Sequence, residues 1–301
     1  MPAADPTAEW RELALLWAAR RCGALEALAT TAGTPEGVAE AADIDPAAAE
    51  RLVAALHARG FLARVGDEYE PADRMLGFLT KADLRSVGGL PAEVDAFQRW
   101  VDLPATLAGE DVPEPPDAVR NELGRAAVLD ETRVRSEVTT AVHAAPDGET
   151  VVLVGDGAGR RGREFADRGW SVTLLEAPGR IDAVEPLLRS TPVDLRGGDA
   201  TDLPDCDLVV GVGTLRRHEP AGAREVVEAA SDAAGAAVFL DAFYGETPDA
   251  ELFDVGALSA GEGRVHDVGA VRSWLDAAFG TAGVESVPAS PLSAAVGRAI
   301  D

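Results

Sequence analysis

The chain has 301 residues, 47% of them hydrophobic, with 31 glycines and 19 prolines, a globular composition long enough for two domains. No apolar run approaches the ~18 residues a membrane-spanning helix needs. Charge is the outlier: 52 acidic residues stand against 27 basic ones, a net of -25, and a single one of the basic residues is lysine.

An acidic surface repels phosphate, so nucleic acid is a poor partner. Abundant Asp and Glu with Arg in place of Lys fit a salt-loving source, where a Debye length of about 3 Å at 1 M salt screens the self-repulsion. A merely acidic mesophile with a GC-rich genome is the alternative. The first ten residues lack the basic-then-apolar layout of a secretory signal, so the protein is expected to be soluble and cytoplasmic. Cys22 and Cys206 stand alone, which argues against a disulfide framework or a metal site and predicts two small, apolar-like packed side chains.

Residues 9–28 carry Leu13, Leu16, Trp17, Leu25 and Leu28 in a helical stripe broken by Gly23. Thr34-Pro35 opens a second helix and Asp45-Pro46 a third, which Gly60 ends. FLARVGDEYEPA then alternates around Gly66-Asp67 as a hairpin does. Three helices and a two-stranded wing predict a winged helix over residues 1–84. DNA readout by it is disfavoured, because residues 1–80 carry 7 basic against 13 acidic groups, a net of -6. Dimerisation is the favoured role, with Leu16 and Trp17 as anchors; ordinary intrachain core is the other reading of the same stripe.

Residues 85–145 read as a helical bridge, interrupted by the proline-rich loop GEDVPEPPD and expected to form one wall of a substrate pocket. Within it Phe97 and Trp100 share a helical face and are candidates to line that pocket, with Phe243 and Tyr244 further on. Core packing is the ordinary alternative for such aromatics. From 146 to 301 continuous apolar strands alternate with helices, which predicts an α/β domain with a parallel sheet covered on both faces. The last two segments, GVESVPA and SAAVGRAI, fit an antiparallel edge.

VVLVGDGAG places Gly155, Gly157 and Gly159 where a strand ends and a helix begins, as a nucleotide-like cofactor requires. The spacing departs from G-x-G-x-x-G, since Gly159 follows Gly157 by two. The next strand, SVTLLE, ends in Glu176, 17 residues after Gly159, where an acid can accept ribose hydroxyls. Gly198-Asp199-Ala200 follows the strand after that, where Asp199 can meet an adenine amino group. Together the three elements favour S-adenosylmethionine over a dinucleotide.

The segments LALLWAARRCGALEALA, GDGAG, LLEAP, GGDATDLPDCDLVV and ELFDVGALSAGEGR occur in an order that resembles a known family. It is that of the S-adenosylmethionine-dependent O-methyltransferases of the plant caffeate and hydroxyindole type, with bacterial polyketide-tailoring members. The resemblance spans nearly the whole chain. It implies a Rossmann-like class I methyltransferase domain behind a winged-helix dimerisation domain, a homodimer, and a small-molecule methyl acceptor. It also assigns Gly155, Gly157, Glu176, Asp199 and Ala200 to the cofactor, and Asp156 and Gly159 of the same turn complete the candidate set.

The resemblance breaks at the catalytic centre. The family carries His-Asp-Trp after the fourth strand, its His serving as general base. Here GVGTLRRHEP puts Arg216 in the His position, Arg217 in the Asp position and His218 two residues on. A guanidinium, with a pKa above about 12, is no base at neutral pH. His218 is a base after a local shift in register, or a loop histidine without a role, or the acceptor is a thiol, an amine or an acidic phenol that needs none. His143 and His266 are lesser candidates. Two functional readings follow: a methyltransferase acting on a small molecule, most simply at oxygen, or a catalytically degenerate sensor that binds the cofactor or another ligand.

Overall fold

A computed structural model of the chain describes residues 6–80 and 83–300; Lys81, the single lysine, lies outside them. The described residues fall into two compact units. One comprises those of Met1–Pro104 with Pro113–Arg125, the other those of Ala105–Val112 with Ala126–Asp301.

The first unit is helical. It holds α1 (Pro6–Arg21), α2 (Ala24–Thr30), α3 (Pro35–Ala42) and α4 (Pro46–Ala58), then the hairpin β1 (Leu62–Val65) and β2 (Glu68–Pro71). Short helices α5 (Leu76–Leu79) and α6 (Leu84–Val87) lead to α7 (Leu90–Leu107) and α8 (Ala118–Ala127), whose last residues belong to the second unit. The boundaries follow local chemistry. Gly23, at φ 81, breaks the long apolar stripe into α1 and α2. Thr34 and Asp45 accept the backbone N–H of Gly37 and Ala48, each followed by a proline whose missing N–H is no loss in a first turn. Gly66, at φ 63, makes the two-residue hairpin turn possible. Leu16, Leu25, Val38, Val53, Leu56, Phe61 and Met75 form the core. Leu16 is thus fully buried within its own chain, and Trp17 packs edge-on against Phe97 at 6.1 Å. Buried Asp95 ties the helices together, accepting Arg20 Nη1 at 2.6 Å and Asn121 Nδ2 at 2.8 Å.

The second unit begins with α9 (Glu131–Val142), capped by Asp130, and continues as strand–helix alternation. In order come β3 (Thr150–Val154), α10 (Arg160–Asp167), β4 (Ser171–Glu176), α11 (Pro178–Leu188), β5 (Val193–Gly197) and β6 (Leu208–Val212). After them run α12 (Pro220–Ala233), β7 (Ala236–Asp241), β8 (Phe243–Tyr244), α13 (Ala250–Ser259), β9 (His266–Asp267), α14 (Val268–Phe279), β10 (Gly280–Ser286) and β11 (Ser293–Ala299). Seven strands form one sheet in the order β10-β11-β7-β6-β3-β4-β5. The five from β7 to β5 are parallel, and β11 and β10 close one edge antiparallel. β6 and β7 are buried along their whole length, as strands covered on both faces must be. The chain runs from β3 outward through β4 to β5, then returns to β6 on the other side of β3. That reversal makes the carboxyl end of β3 the switch point where ligands bind in open α/β sheets.

Candidate cofactor and active site

The glycine turn lies at that switch point. Gly155, Gly157 and Gly159 take φ of 81, 65 and 69, left-handed conformations that other residues adopt only at a cost. A Cβ at Gly155 would stand 2.6 Å from the Val212 carbonyl oxygen, and one at Gly159 would stand 2.8 Å from Leu188. The spacing that departs from the dinucleotide pattern therefore builds a tighter turn, with every glycine required by its backbone.

Glu176, buried at the tip of β4, folds toward this turn. Its Oε1 accepts the Gly157 N–H at 2.9 Å, and its Oε2 lies 3.2 Å from Arg180 Nε. Asp199 is exposed at the tip of β5, where its N–H donates to Asp202 Oδ2. Ala200 packs with Leu203 and Cys206 against Val152, Val154 and Leu175. Burial pushes the Cys206 thiol up to about 11, so it stays protonated and packs as an apolar group.

Asp156 points the other way. Its carboxylate accepts the Gly162 N–H at 3.0 Å and Arg161 Nη1 at 2.9 Å, from inside the start of α10. Arg161 in turn donates Nε to Glu137 of α9 at 2.7 Å. Glu137 also receives Arg133 Nε at 2.8 Å and Ser290 Oγ at 2.6 Å. Burial alone would raise the Glu137 carboxyl, but the Arg161 and Arg133 guanidiniums override it and hold it below the usual carboxylate range. Beneath the turn thus lies a fully buried Asp–Arg–Glu chain that sequence reasoning missed. Its signal was present: Arg161 and Phe165 share the inner face of α10, and a buried arginine demands a buried acid.

The residues after β6 form a one-turn 3-10 helix, Leu215–Arg217. Thr214 Oγ1 donates to the Val154 carbonyl, tying this turn to β3. Arg216 is clamped twice by Asp241, at the end of β7: its N–H reaches Oδ2 at 3.1 Å and its Nη1 reaches Oδ1 at 2.7 Å. Its guanidinium lies over Gly213, where a Cβ would stand 2.7 Å from Nη2. Arg217 reaches the glycine turn itself, with Nη1 3.5 Å from where a Gly155 Cβ would be and Nε 3.8 Å from Glu262 Oε1. His218 turns its ring against Gly222 of α12, while its backbone is pressed by Gly263. Burial, then the charge of Arg217, lowers its pKa below the ordinary histidine value, so it is neutral at pH 7.

His266 is buried in edge contact with Trp274 and bonds the Leu215 carbonyl at 3.0 Å through Nε2. His143 is exposed at the end of α9. Phe243 is fully buried in the core, and Tyr244 donates its hydroxyl to Asp254 at 2.8 Å. Phe97 packs on Trp17 in the first unit, and Trp100 is 43% exposed there. No cluster of His, Cys, Asp and Glu able to hold a metal occurs among the described residues, and no described helix is long and apolar enough to cross a membrane.

No protein-family model and no curated protein matches this sequence. Solved structures do. The riboflavin-analogue N,N-dimethyltransferase of Streptomyces davawensis superposes with a TM-score of 0.69 at 20% identity, over 98% of this chain and 97% of its own. A mitomycin 7-O-methyltransferase gives 0.68 at 18% identity, over 97% and 95%. Human N-acetylserotonin methyltransferase, solved in complex with SAM, gives 0.65 at 16% identity, with both chains fully covered. The chain shares their fold. It is a Rossmann-like class I methyltransferase fold with a helical N-terminal unit, the α/β architecture expected from the strand–helix alternation. In an open α/β sheet the switch-point turn just described is the place where ligands bind.

Proposed function

We propose that this chain is an S-adenosylmethionine-dependent methyltransferase acting on a small molecule, most simply at oxygen. The observation that carries the reading is the cradle after β3: three left-handed glycines, a position where a Cβ would collide with Val212, and the Glu176 carboxylate folded onto the turn. These groups fit the cofactor. The backbone of Gly155, Gly157 and Gly159, the Glu176 carboxylate, and Asp199 with Ala200 would hold it, while Asp156 supports the turn from inside. When bound, S-adenosylmethionine supplies an electrophilic methyl group. Similarity in fold to a SAM complex and to N- and O-methyltransferases supports the reading. Calorimetric titration with S-adenosylhomocysteine tests it: micromolar binding is expected, and no heat at millimolar ligand overturns it.

One observation favours a second reading, a sensor that binds the cofactor without turnover. Arg216 stands where the resemblance expects the base, and buried Asp241 clamps it. Cofactor binding with no methyl transfer across a broad acceptor panel would decide for the sensor.

We further read the helical unit as a winged helix that makes a homodimer, with exposed Trp10 on α1 available to a second copy. Light scattering at the dimer mass checks this, and a monomer at micromolar concentration refutes it. The net charge of -25 supports a salt-loving source. A melting temperature that climbs between about 0.1 and 2 M KCl is the expected sign, because screening removes the self-repulsion of the acidic surface.

A further inference from the structure

We propose that Ser290 is a positioning residue for the cofactor turn, acting through Glu137, Arg161 and Asp156. The inference rests on the methyltransferase reading and adds to it a residue, distant in sequence, that sets cofactor affinity. Ser290 lies in the connection between β10 and β11. β10 ends at Ser286 opposite Ser293, and Ser293 pairs with Asp241 at the end of β7, so this connection stands at the carboxyl edge of the sheet.

The backbone there is strained. Asp43, Asp117, Asp249 and Ala289 are the described residues other than glycine with a positive φ, and Ala289, at 57, has no polar side chain to bond locally. The Ser290 N–H donates to the Val287 carbonyl at 3.2 Å behind Pro288, a turn that ordinarily takes glycine in the place of Ala289. Pro288 and Pro291 remove backbone freedom on either side. Such strain persists where the surroundings over-determine the conformation, and it clusters at functional sites. Here they hold the Ser290 hydroxyl, which accepts the Leu292 N–H at 3.2 Å and donates to Glu137 Oε1 at 2.6 Å.

From Glu137 the chain of contacts is buried and continuous. Arg161 donates Nε to Glu137 Oε2 at 2.7 Å and Nη1 to Asp156 Oδ1 at 2.9 Å. Asp156 in turn accepts the N–H groups of Arg161 at 3.3 Å and Gly162 at 3.0 Å. These bonds close residues 156–162 into a loop that contains Gly157 and Gly159. Without the Ser290 hydroxyl, Glu137 Oε1 keeps only Arg133, whose side chain is 22% exposed, among the donors named here. The carboxylate is then free to turn with Arg133, and Arg161 and the loop follow it.

Two measurements on the full chain test this: calorimetric titration with S-adenosylhomocysteine, and hydrogen exchange of residues 156–162 in the cofactor-free protein. Ser290→Ala should weaken S-adenosylhomocysteine about three- to tenfold. It should also speed exchange of the Arg161 and Gly162 amides about threefold or more and leave exchange in β11 unchanged. If its circular dichroism departs from the parent, Ser290→Cys, a weaker donor of the same shape, takes its place. Ser290→Thr keeps the hydroxyl and should return both readouts to within about twofold of the parent. On a Glu137→Gln background, Ser290→Ala should cost no more than about twofold in further affinity, since the two residues act in series. Ser286→Ala, an exposed serine of the same hairpin, should leave both readouts at parent values. Unchanged exchange over 156–162 in Ser290→Ala, an equal affinity loss in Ser290→Thr, or the same loss on both backgrounds overturns the proposal. Failure of S-adenosylhomocysteine to bind the parent overturns the methyltransferase reading instead, and the exchange comparison then decides alone whether Ser290 holds the turn.

Discussion

Replacing Arg161 with methionine removes the guanidinium from the buried chain under the glycine turn while keeping most of the side-chain volume. Arg161 is 3% exposed, and its two partners, Glu137 and Asp156, are completely buried. Breaking a buried pair by deleting one member costs about 3–5 kcal/mol, because the charge left behind has no water to return to. Here the loss belongs at the lower end. Glu137 keeps Arg133 and Ser290, and Asp156 keeps the Gly162 N–H. A destabilisation of about 3 kcal/mol corresponds to about 6–12 °C in the melting temperature of a unit this size.

The deficit should also depend on pH in a fixed direction. In the parent the lowered Glu137 carboxyl contributes stability that is present above the unfolded-state value and lost as pH falls through the folded one. The variant lacks much of that contribution, so the gap is widest near neutrality and narrows in acid. Urea denaturation followed by tryptophan fluorescence measures both, since Trp170 and Trp274 lie in this unit. Adding Glu137→Gln and Asp156→Asn to Arg161→Met removes the stranded charges and should restore part of the stability. A loss under about 1 kcal/mol, or a deficit that grows in acid, would refute the account of a charge network holding the turn.

Three other perturbations address the turn and its neighbours. Gly155→Ala places a methyl 2.6 Å from the Val212 carbonyl at a left-handed φ, so it should cost about 1–3 kcal/mol and abolish S-adenosylhomocysteine binding, read by calorimetry. Glu176→Gln keeps an acceptor for the Gly157 N–H but removes the charge facing Arg180; affinity for S-adenosylhomocysteine should fall about 10- to 100-fold, the loss of one charge-assisted bond. The lowered pKa of His218 means that the unfolded chain binds its proton first as pH drops below about 6.5, so the native state loses stability there. His218→Asn should therefore reduce acid sensitivity between about pH 7.5 and 5.5 and change little above it, as thermal melts across that range would show.

The parts of the fold legible in the sequence are those where one local rule decides. β6 and β7 are continuous apolar runs because both faces of a parallel sheet are covered, and the caps at Thr34 and Asp45 advertise themselves by the proline that follows. The glycine turn was legible for the same reason, each glycine answering to its own φ. What was not legible depends on pairs far apart in the chain. Ser290 meets Glu137 across 153 positions, and nothing local to either announces the other. β8 and β9 escaped because two-residue strands carry no periodicity. Asp156, next to two glycines of the turn after β3, could be assigned to a ligand from sequence; its inward hydrogen bonds to α10 appear only once the turn is folded.

The arginines at the carboxyl edge explain how so acidic a chain keeps this edge from repelling itself. Arg161 answers Asp156 and Glu137, Arg180 answers Glu176, Arg216 answers Asp241, and Arg217 faces Glu262. Each guanidinium lies by the acid that would otherwise make this edge the most repulsive part of a surface at net -25. The grades of burial differ in a useful order. Arg161 is sealed and serves only structure. Arg180 is nearly sealed against the residue that faces the ribose in the proposed complex. Arg216 is a quarter exposed beside Asp241, and Arg217 is 30% exposed. Arg180→Gln should consequently weaken S-adenosylhomocysteine binding more than Arg217→Gln does, because Arg180 holds Glu176. If both variants weakened it equally, the order of burial along this edge would have to be abandoned as a guide to the ligand.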